Sequence, residues 1–201
     1  MNVASMSVSS HPWLDIGCVH GRFQPFHNEH LEYVSRAYEI CRLLYVGITH
    51  SLLEPSQIVE SAPHRHRSEA NPLSFVERME VILAALEEVG YDISRVRVVP
   101  FPVEHPSAIM NYVPMDAVHL LSPCDEWQME KYQALAASGF NVQWVIGSRK
   151  GIQASSVRAQ IRKGMSVRHL VPAAVSRYMD ALRAEPSRSP RSAQRLFVPK
   201  A

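Results

Sequence analysis

Apolar residues run almost unbroken through "LDIGCV" (14–19), and behind them the pattern changes: Leu31, Val34, Tyr38 and Cys41 recur at helical spacing. A buried strand followed by a helix is predicted, with "HGRFQPFHNEH" at the turn between them. The β-rich run "RLLYVGITH" predicts a second buried strand ending at Thr49 and His50. The long stretch "SLLEPSQIVESAPHRHRSEANP" follows neither period, and its length marks it as a functional loop or a mobile segment. In "SFVERMEVILAALEEVG" a helix is expected, opened by Ser74 as N-cap with Glu77 three residues on and stopped at Gly90. "RVRVVPF" (95–101), "DAVHLLS" (116–122) and "NVQWVIG" (141–147) read as short strands, with the helical "DEWQMEKYQALAASG" between the last two. "ASSVRAQIRKG" predicts a short helix starting near Ser155 and closed by Gly164, and "VPAAVSRYMDALR" another with Pro172 in its first turn. Strands alternating with helices argue for an α/β protein whose parallel sheet is covered on both faces.

The chain has 201 residues, 46% hydrophobic and 20% charged, which suits one well-buried domain. The expected organisation is an N-terminal arm over 1–13, one domain over 14–183 and a disordered basic tail over 184–201. The tail carries more than the whole net charge of +2, with Arg188, Arg191, Arg195 and Lys200 against only Glu185, which leaves the remainder near −1. The remainder is close to neutral, and nothing in it demands nucleic acid as a partner. Cys18, Cys41 and Cys124 are few, scattered and odd in number, so no disulfide framework is expected and a reducing cytoplasm fits. No apolar run approaches a bilayer span, and "MNVASMSVSSHPW" lacks the basic start and apolar core of a secretory signal. These features predict a soluble, cytoplasmic protein with no membrane partner.

In open parallel sheets, ligands bind beyond the carboxyl ends of the strands, where strand-to-helix turns gather. His27 and His30 lie on such a turn. A helix N-terminus presents unpaired N–H groups and the positive end of a dipole, and two imidazoles aimed at the same place add donors. With Arg22 and the "QPF" turn they form an anion cradle suited to a triphosphate, one that stabilises charge without a covalent intermediate. A lone pair of histidines at this spacing is more often incidental than functional. Ser155 and Ser156 are by default ordinary N-caps, a role compatible with phosphate binding because the free N–H groups are the same. His20 is expected to be packed or edge-exposed. A metal site built from Cys18, His20, His27 and His30 lacks a recognised zinc spacing. Met79, Met110, Met115 and Met129 show no spacing beyond core filling.

Three motifs change those odds. "GRFQPFHNEHL" resembles the first signature of the HxGH nucleotidyltransferase superfamily, in particular the "GRFQPxHxGHL" form of archaeal-type nicotinamide mononucleotide adenylyltransferases. "NPLSFVERMEVI" (71–82) is similar to that family's "NPFTxxERxEMI", and "GIQASSVRAQIRKG" (151–164) to its "ISxTxIRxxI". The resemblance implies a Rossmann-like, doubly wound parallel sheet with a C-terminal helical extension. It also implies a reaction in which an acceptor oxygen attacks the α-phosphate of a nucleoside triphosphate and pyrophosphate leaves, with Mg²⁺ bridging triphosphate oxygens. By the same resemblance His27 and His30 hold the α-phosphate and the leaving oxygen. Ser155 and Arg158 hold the β- and γ-phosphates, and Arg22 reaches the triphosphate; Gly21, Phe23, Glu29 and Ser156 complete the implied nucleotide-binding set. Relatives of this type assemble into oligomers, so a homo-oligomer is expected.

The chain departs from the family pattern at four places. Glu29 replaces the glycine of HxGH, and its side chain could turn outward, serve the nucleotide or a metal, or block the site. The retention of Arg22, both histidines, Ser155 and Arg158 favours the first two. In "SAIMNYV" (107–113), Ile109 and Met110 stand where the nicotinamide enzymes carry a ring-stacking tryptophan, with Tyr112 and Trp127 as candidates to replace it. Gln153 also stands where the second signature usually has serine. The segment "PHRHRS" extends the long loop, and its His64, Arg65, His66 and Arg67 form a candidate clamp for a small, highly charged acceptor, with Met110 nearby in the acceptor set. A solvated loop is the equal alternative. An anionic acceptor without an aromatic ring fits cytidylyltransferases of the phosphonoformate type, and "RKGIQAS" is faintly similar to the "RTEGIST" motif of other cytidylyltransferases. The expected activity is transfer of CMP from CTP, in preference to AMP, to a small phosphonate or phosphate. The alternatives are a nicotinamide mononucleotide adenylyltransferase and a nucleotide-binding module whose catalysis Glu29 has removed.

Overall fold

The computed structural model describes residues 13–50, 70–122, 126–145 and 151–184. Five strands, β1 (Leu14–Gly21), β2 (Cys41–Ile48), β3 (Val96–Pro100), β4 (Val118–Leu121) and β5 (Asn141–Trp144), form one sheet. Its order is β3-β2-β1-β4-β5, with every pairing parallel. Among the described residues, five α-helices connect or cover them: α1 (Asn28–Ile40), α2 (Phe75–Glu88), α3 (Glu126–Ala137), α4 (Ala154–Arg162) and α5 (Ala173–Ala184). The chain starts at the centre, winds out to β3 on one side and returns through β4 and β5 on the other. This is the doubly wound, Rossmann-like arrangement, whose winding reverses between β1 and β4.

Alternation along the strands divides the interior in two. Val19, Leu44, Val46, Ile48 and Leu120 face the larger core with α1, α2, α4 and α5. Cys18 and Leu121 face a smaller one with Phe101, Ile109, Leu135 and Phe140. Both faces of the central strands are therefore dry, which is why they read as unbroken apolar runs.

Helix α2 follows its local signals. The Ser74 hydroxyl accepts from the Glu77 N–H at 3.3 Å and the Glu77 carboxylate accepts from the Ser74 N–H at 2.7 Å, while Gly90 leaves the helix at φ 87°. Helix α5 docks on α2 because Glu88 caps it: the carboxylate accepts from the Ala174 N–H at 2.8 Å and from Arg177 at 2.9 Å. The Tyr178 hydroxyl adds a bond to Glu77 at 3.0 Å.

Several local expectations shift. Cys41 is the extended C-cap of α1 and at once the first residue of β2, its sulfur so close to β1 that a Cβ on Gly17 would come within 2.2 Å of it. Helix α4 starts at Ala154 with Gln153 as N-cap, so Ser155 and Ser156 are exposed first-turn residues rather than caps. Pro172 immediately precedes α5, its carbonyl accepting the first helical bond from Ser176. Met110, Met115 and Met129 are exposed rather than core-filling. A 3₁₀ turn over Pro106–Asn111, unforeseen in the sequence, buries Ile109. Residues 51–69 of the long loop and 185–201 of the basic tail lie outside the described residues, and among the described residues no helix is long and apolar enough to cross a membrane.

Candidate active site

The end of β1 is built around aromatic rings. Phe23 adopts φ 52° and lays its ring over Gly21, where a Cβ would meet it at 2.8 Å. Phe23 and Phe26 are both buried, edge to face at 5.5 Å, and His30 rests against them with centroids 5.0 and 5.8 Å away. Gly21 and Phe23, expected at the nucleotide, thus shape the turn and seat a histidine.

His27 is the N-cap of α1, and its ring stacks on that of His30 with centroids 3.5 Å apart. The His27 N–H donates to Nδ1 of His30 at 3.3 Å. That bond assigns the lone pair of His30 to Nδ1 and its proton to Nε2. Loss of solvation, and then the neighbouring His27 and Arg22, hold the His30 pKa well below the ordinary imidazole value. His30 is therefore a neutral Nε2–H donor.

The turn carrying these rings is fastened from behind. Arg78, almost wholly buried, donates from Nη1 to the carbonyls of Arg22 (2.9 Å) and Thr49 (2.8 Å) and from Nη2 to that of His50 (3.0 Å). The Thr49 N–H donates to the Gly21 carbonyl at 3.0 Å, so one guanidinium ties the ends of β1 and β2 to α2. Gln24 exchanges two hydrogen bonds with the main chain of Leu73, at 2.7 and 3.0 Å. Its own carbonyl accepts from Arg158 of α4 at 2.5 Å. Burial lowers both arginines to about 10, far enough above neutrality that each stays a cation. His50, itself at φ 51°, turns Nε2 toward Glu104 at 3.3 Å.

The first turns of α1 and α4 meet. One oxygen of Glu29 accepts from the main-chain N–H groups of Gly151 and Ile152, at 2.6 and 2.8 Å, just ahead of α4. The structure thus brings together Gly21, Arg22, Phe23, His27, Glu29, His30 and Arg158, with Ser155 and Ser156 exposed on the first turn of α4. Met110 is exposed on the 3₁₀ turn, while His64, Arg65, His66 and Arg67 lie outside the described residues. Arg78 and Gln24, passed over as single residues in the sequence, belong to two of its three motifs; those motifs were the available signal. The four-residue metal site does not form. Cys18 belongs to the smaller core and His20 stacks on Phe101 at 4.2 Å, and among the described residues no group of three or more His, Cys, Asp or Glu side chains is placed to hold a metal.

No family model matches the chain. In fold it is similar to a bifunctional NMN adenylyltransferase/ADP ribose pyrophosphatase from Francisella tularensis, with TM-score 0.67 and 17% identity, covering 90% of this chain and 53% of that one. The chain thus spans about half the length of that protein. It is also 39% identical over 165 residues to a phosphonoformate cytidylyltransferase from Streptomyces viridochromogenes, covering 80% of this chain and 88% of the relative. The chain belongs to the phosphonoformate cytidylyltransferase family. It is a nucleotidyltransferase, an enzyme, and part of it is also similar to nicotinamide-nucleotide adenylyltransferases. One from Saccharolobus solfataricus is 34% identical over 86 residues, 43% of either chain, and one from Ignicoccus hospitalis 35% over 82 residues, 41% of either chain. As a nucleotidyltransferase the chain takes a nucleoside triphosphate.

Proposed function

We propose that the protein transfers CMP from CTP to a small, highly charged phosphonate or phosphate acceptor and releases pyrophosphate. The observation that carries this reading is the similarity to a phosphonoformate cytidylyltransferase across 88% of that enzyme, where each of the two adenylyltransferases above is matched over less than half. The acceptor side agrees with it. Ile109 is buried and Met110 exposed, so these two positions supply no ring platform for a pyridine.

The chemistry asked of the chain is alignment and charge stabilisation. An acceptor oxygen forms a bond to the α-phosphorus while the bond from that phosphorus to the bridging oxygen breaks, and pyrophosphate carries the electron pair away. A phosphonate oxygen is already ionised near neutral pH and needs no base. His30 offers a neutral Nε2–H to the α-phosphate, held in place by the His27 main chain and the aromatic floor. The His27 imidazole, stacked beside it, serves the leaving oxygen. Arg158 and the first-turn N–H groups and hydroxyls at Ser155 and Ser156 receive the outer phosphates. The gathered donors are cations and N–H groups, which fit phosphate oxygens and not a bare metal. Mg²⁺ would therefore be carried by the triphosphate itself, neutralising charge between its oxygens.

The test is pyrophosphate release with Mg²⁺, each of ATP, CTP, GTP and UTP, and a panel of small phosphonates, phosphates and nicotinamide mononucleotide. Release with CTP and a phosphonate is expected. The second reading, a nicotinamide mononucleotide adenylyltransferase, is favoured by the Saccharolobus relative and requires release with ATP and nicotinamide mononucleotide alone. Nucleotide binding without pyrophosphate release under any pairing would overturn both.

A further inference from the structure

Glu29 stands where the resembling family keeps a glycine, and the structure gives its carboxylate a definite task. A single oxygen collects two consecutive main-chain N–H groups, those of Gly151 and Ile152, at 2.6 and 2.8 Å. Successive N–H groups converging in this way form a nest for an anion, and an ionised acceptor makes such bonds short and strong. The fit is close: a Cβ on Gly151 would lie 3.2 Å from the same oxygen. The Gln153 cap of α4 makes no side-chain cap bond, so the carboxylate is a side-chain anchor ahead of this helix. Arg158 of α4 also reaches back to the Gln24 carbonyl ahead of α1 at 2.5 Å, and Asn28 fastens the start of α1 to the segment before α5 through Leu170 and His169 at 3.0 and 3.1 Å.

We propose that Glu29 is a positioning residue, a clasp that sets the separation and register of the α1 and α4 N-termini and thereby sets nucleotide affinity. Its carboxylate occupies the N–H groups of Gly151 and Ile152, which leaves the outer phosphates to donors further along, on the first turn of α4 at Ser155 and Ser156. The effect on affinity rests on the nucleotidyl-transfer reading; the clasp itself does not.

The experiment compares the full chain with E29A and E29Q. The glutamine keeps an acceptor oxygen of the same reach, and the alanine keeps none. Without ligand, amide hydrogen exchange at Gly151 and Ile152 should quicken about tenfold in E29A and stay near wild type in E29Q. In pyrophosphate release, E29A should raise the KM for CTP about tenfold while kcat and the acceptor KM change by less than about threefold, the signature of lost binding rather than lost chemistry. E29Q should recover most of the KM. Unchanged exchange in E29A would remove the clasp, and a lower KM for CTP in E29A would make the carboxylate a rival of the nucleotide instead. If the wild type releases no pyrophosphate from any nucleotide, the transfer reading fails, and the exchange measurement still decides the clasp.

Discussion

The imidazoles of His27 and His30 lie nearly parallel, 3.5 Å between centroids, and the main chain of the first donates to Nδ1 of the second. Two protonated rings at that separation would repel strongly, and burial, with His27 and Arg22 nearby, keeps His30 neutral. Replacing either histidine with alanine should lower kcat about 10²-fold, by analogy with the loss of one oxyanion donor. Steady-state pyrophosphate release measures this, and a wild-type kcat in either variant would remove the pair from the mechanism.

Stability should fall on the acid side. His20, His30 and His119 all have pKa values held below 6.5, chiefly by burial, and His119 is lowered to about 4. The unfolded chain therefore takes up protons that the folded chain refuses. The resulting stability is complete above pH 6.5 and is lost as pH drops from there toward 4 and below. Urea midpoints measured across that range should decline, and His119→Phe should flatten the decline, since the new ring can pack on Phe140 as the old one does at 4.9 Å.

Arg78→Ala would leave the carbonyls of Arg22, Thr49 and His50 without their shared buried donor. A loss of about 3 kcal/mol or more is expected from denaturant unfolding, with transferase activity falling further than the folded fraction does. Arg78→Lys cannot reproduce the fork and should recover only part.

Gly17→Ala should cost about 2 kcal/mol, because its Cβ would fall 2.2 Å from the sulfur of Cys41. Adding Cys41→Ala removes that atom and should return part of the stability. A double variant no more stable than the single one would place the strain elsewhere.

Arg65→Ala with Arg67→Ala should raise the acceptor KM more than the KM for CTP if the long loop clamps an anionic acceptor. Unchanged acceptor kinetics would reduce that loop to a solvated connection.

The chain by itself determined the order and type of the elements, because the signals involved are local. Ser74, Glu77 and Gly90 define α2 within its own ends, and unbroken apolar runs mark strands buried on both faces. It also placed His27, His30 and Arg158, because their motifs stay legible wherever the helices pack. What α4 does with its first turn was not legible, nor was the use of Glu29: the two N–H groups that receive its carboxylate lie 122 and 123 residues further on. Separation in sequence also hid Arg78, whose carbonyl partners sit 56, 29 and 28 residues away on two other turns. A main-chain N–H or C=O is identical at every position, so no residue type announces that it awaits a distant charge. Only the packing of α1, α2 and α4 against one face of the sheet decides which of these groups meet.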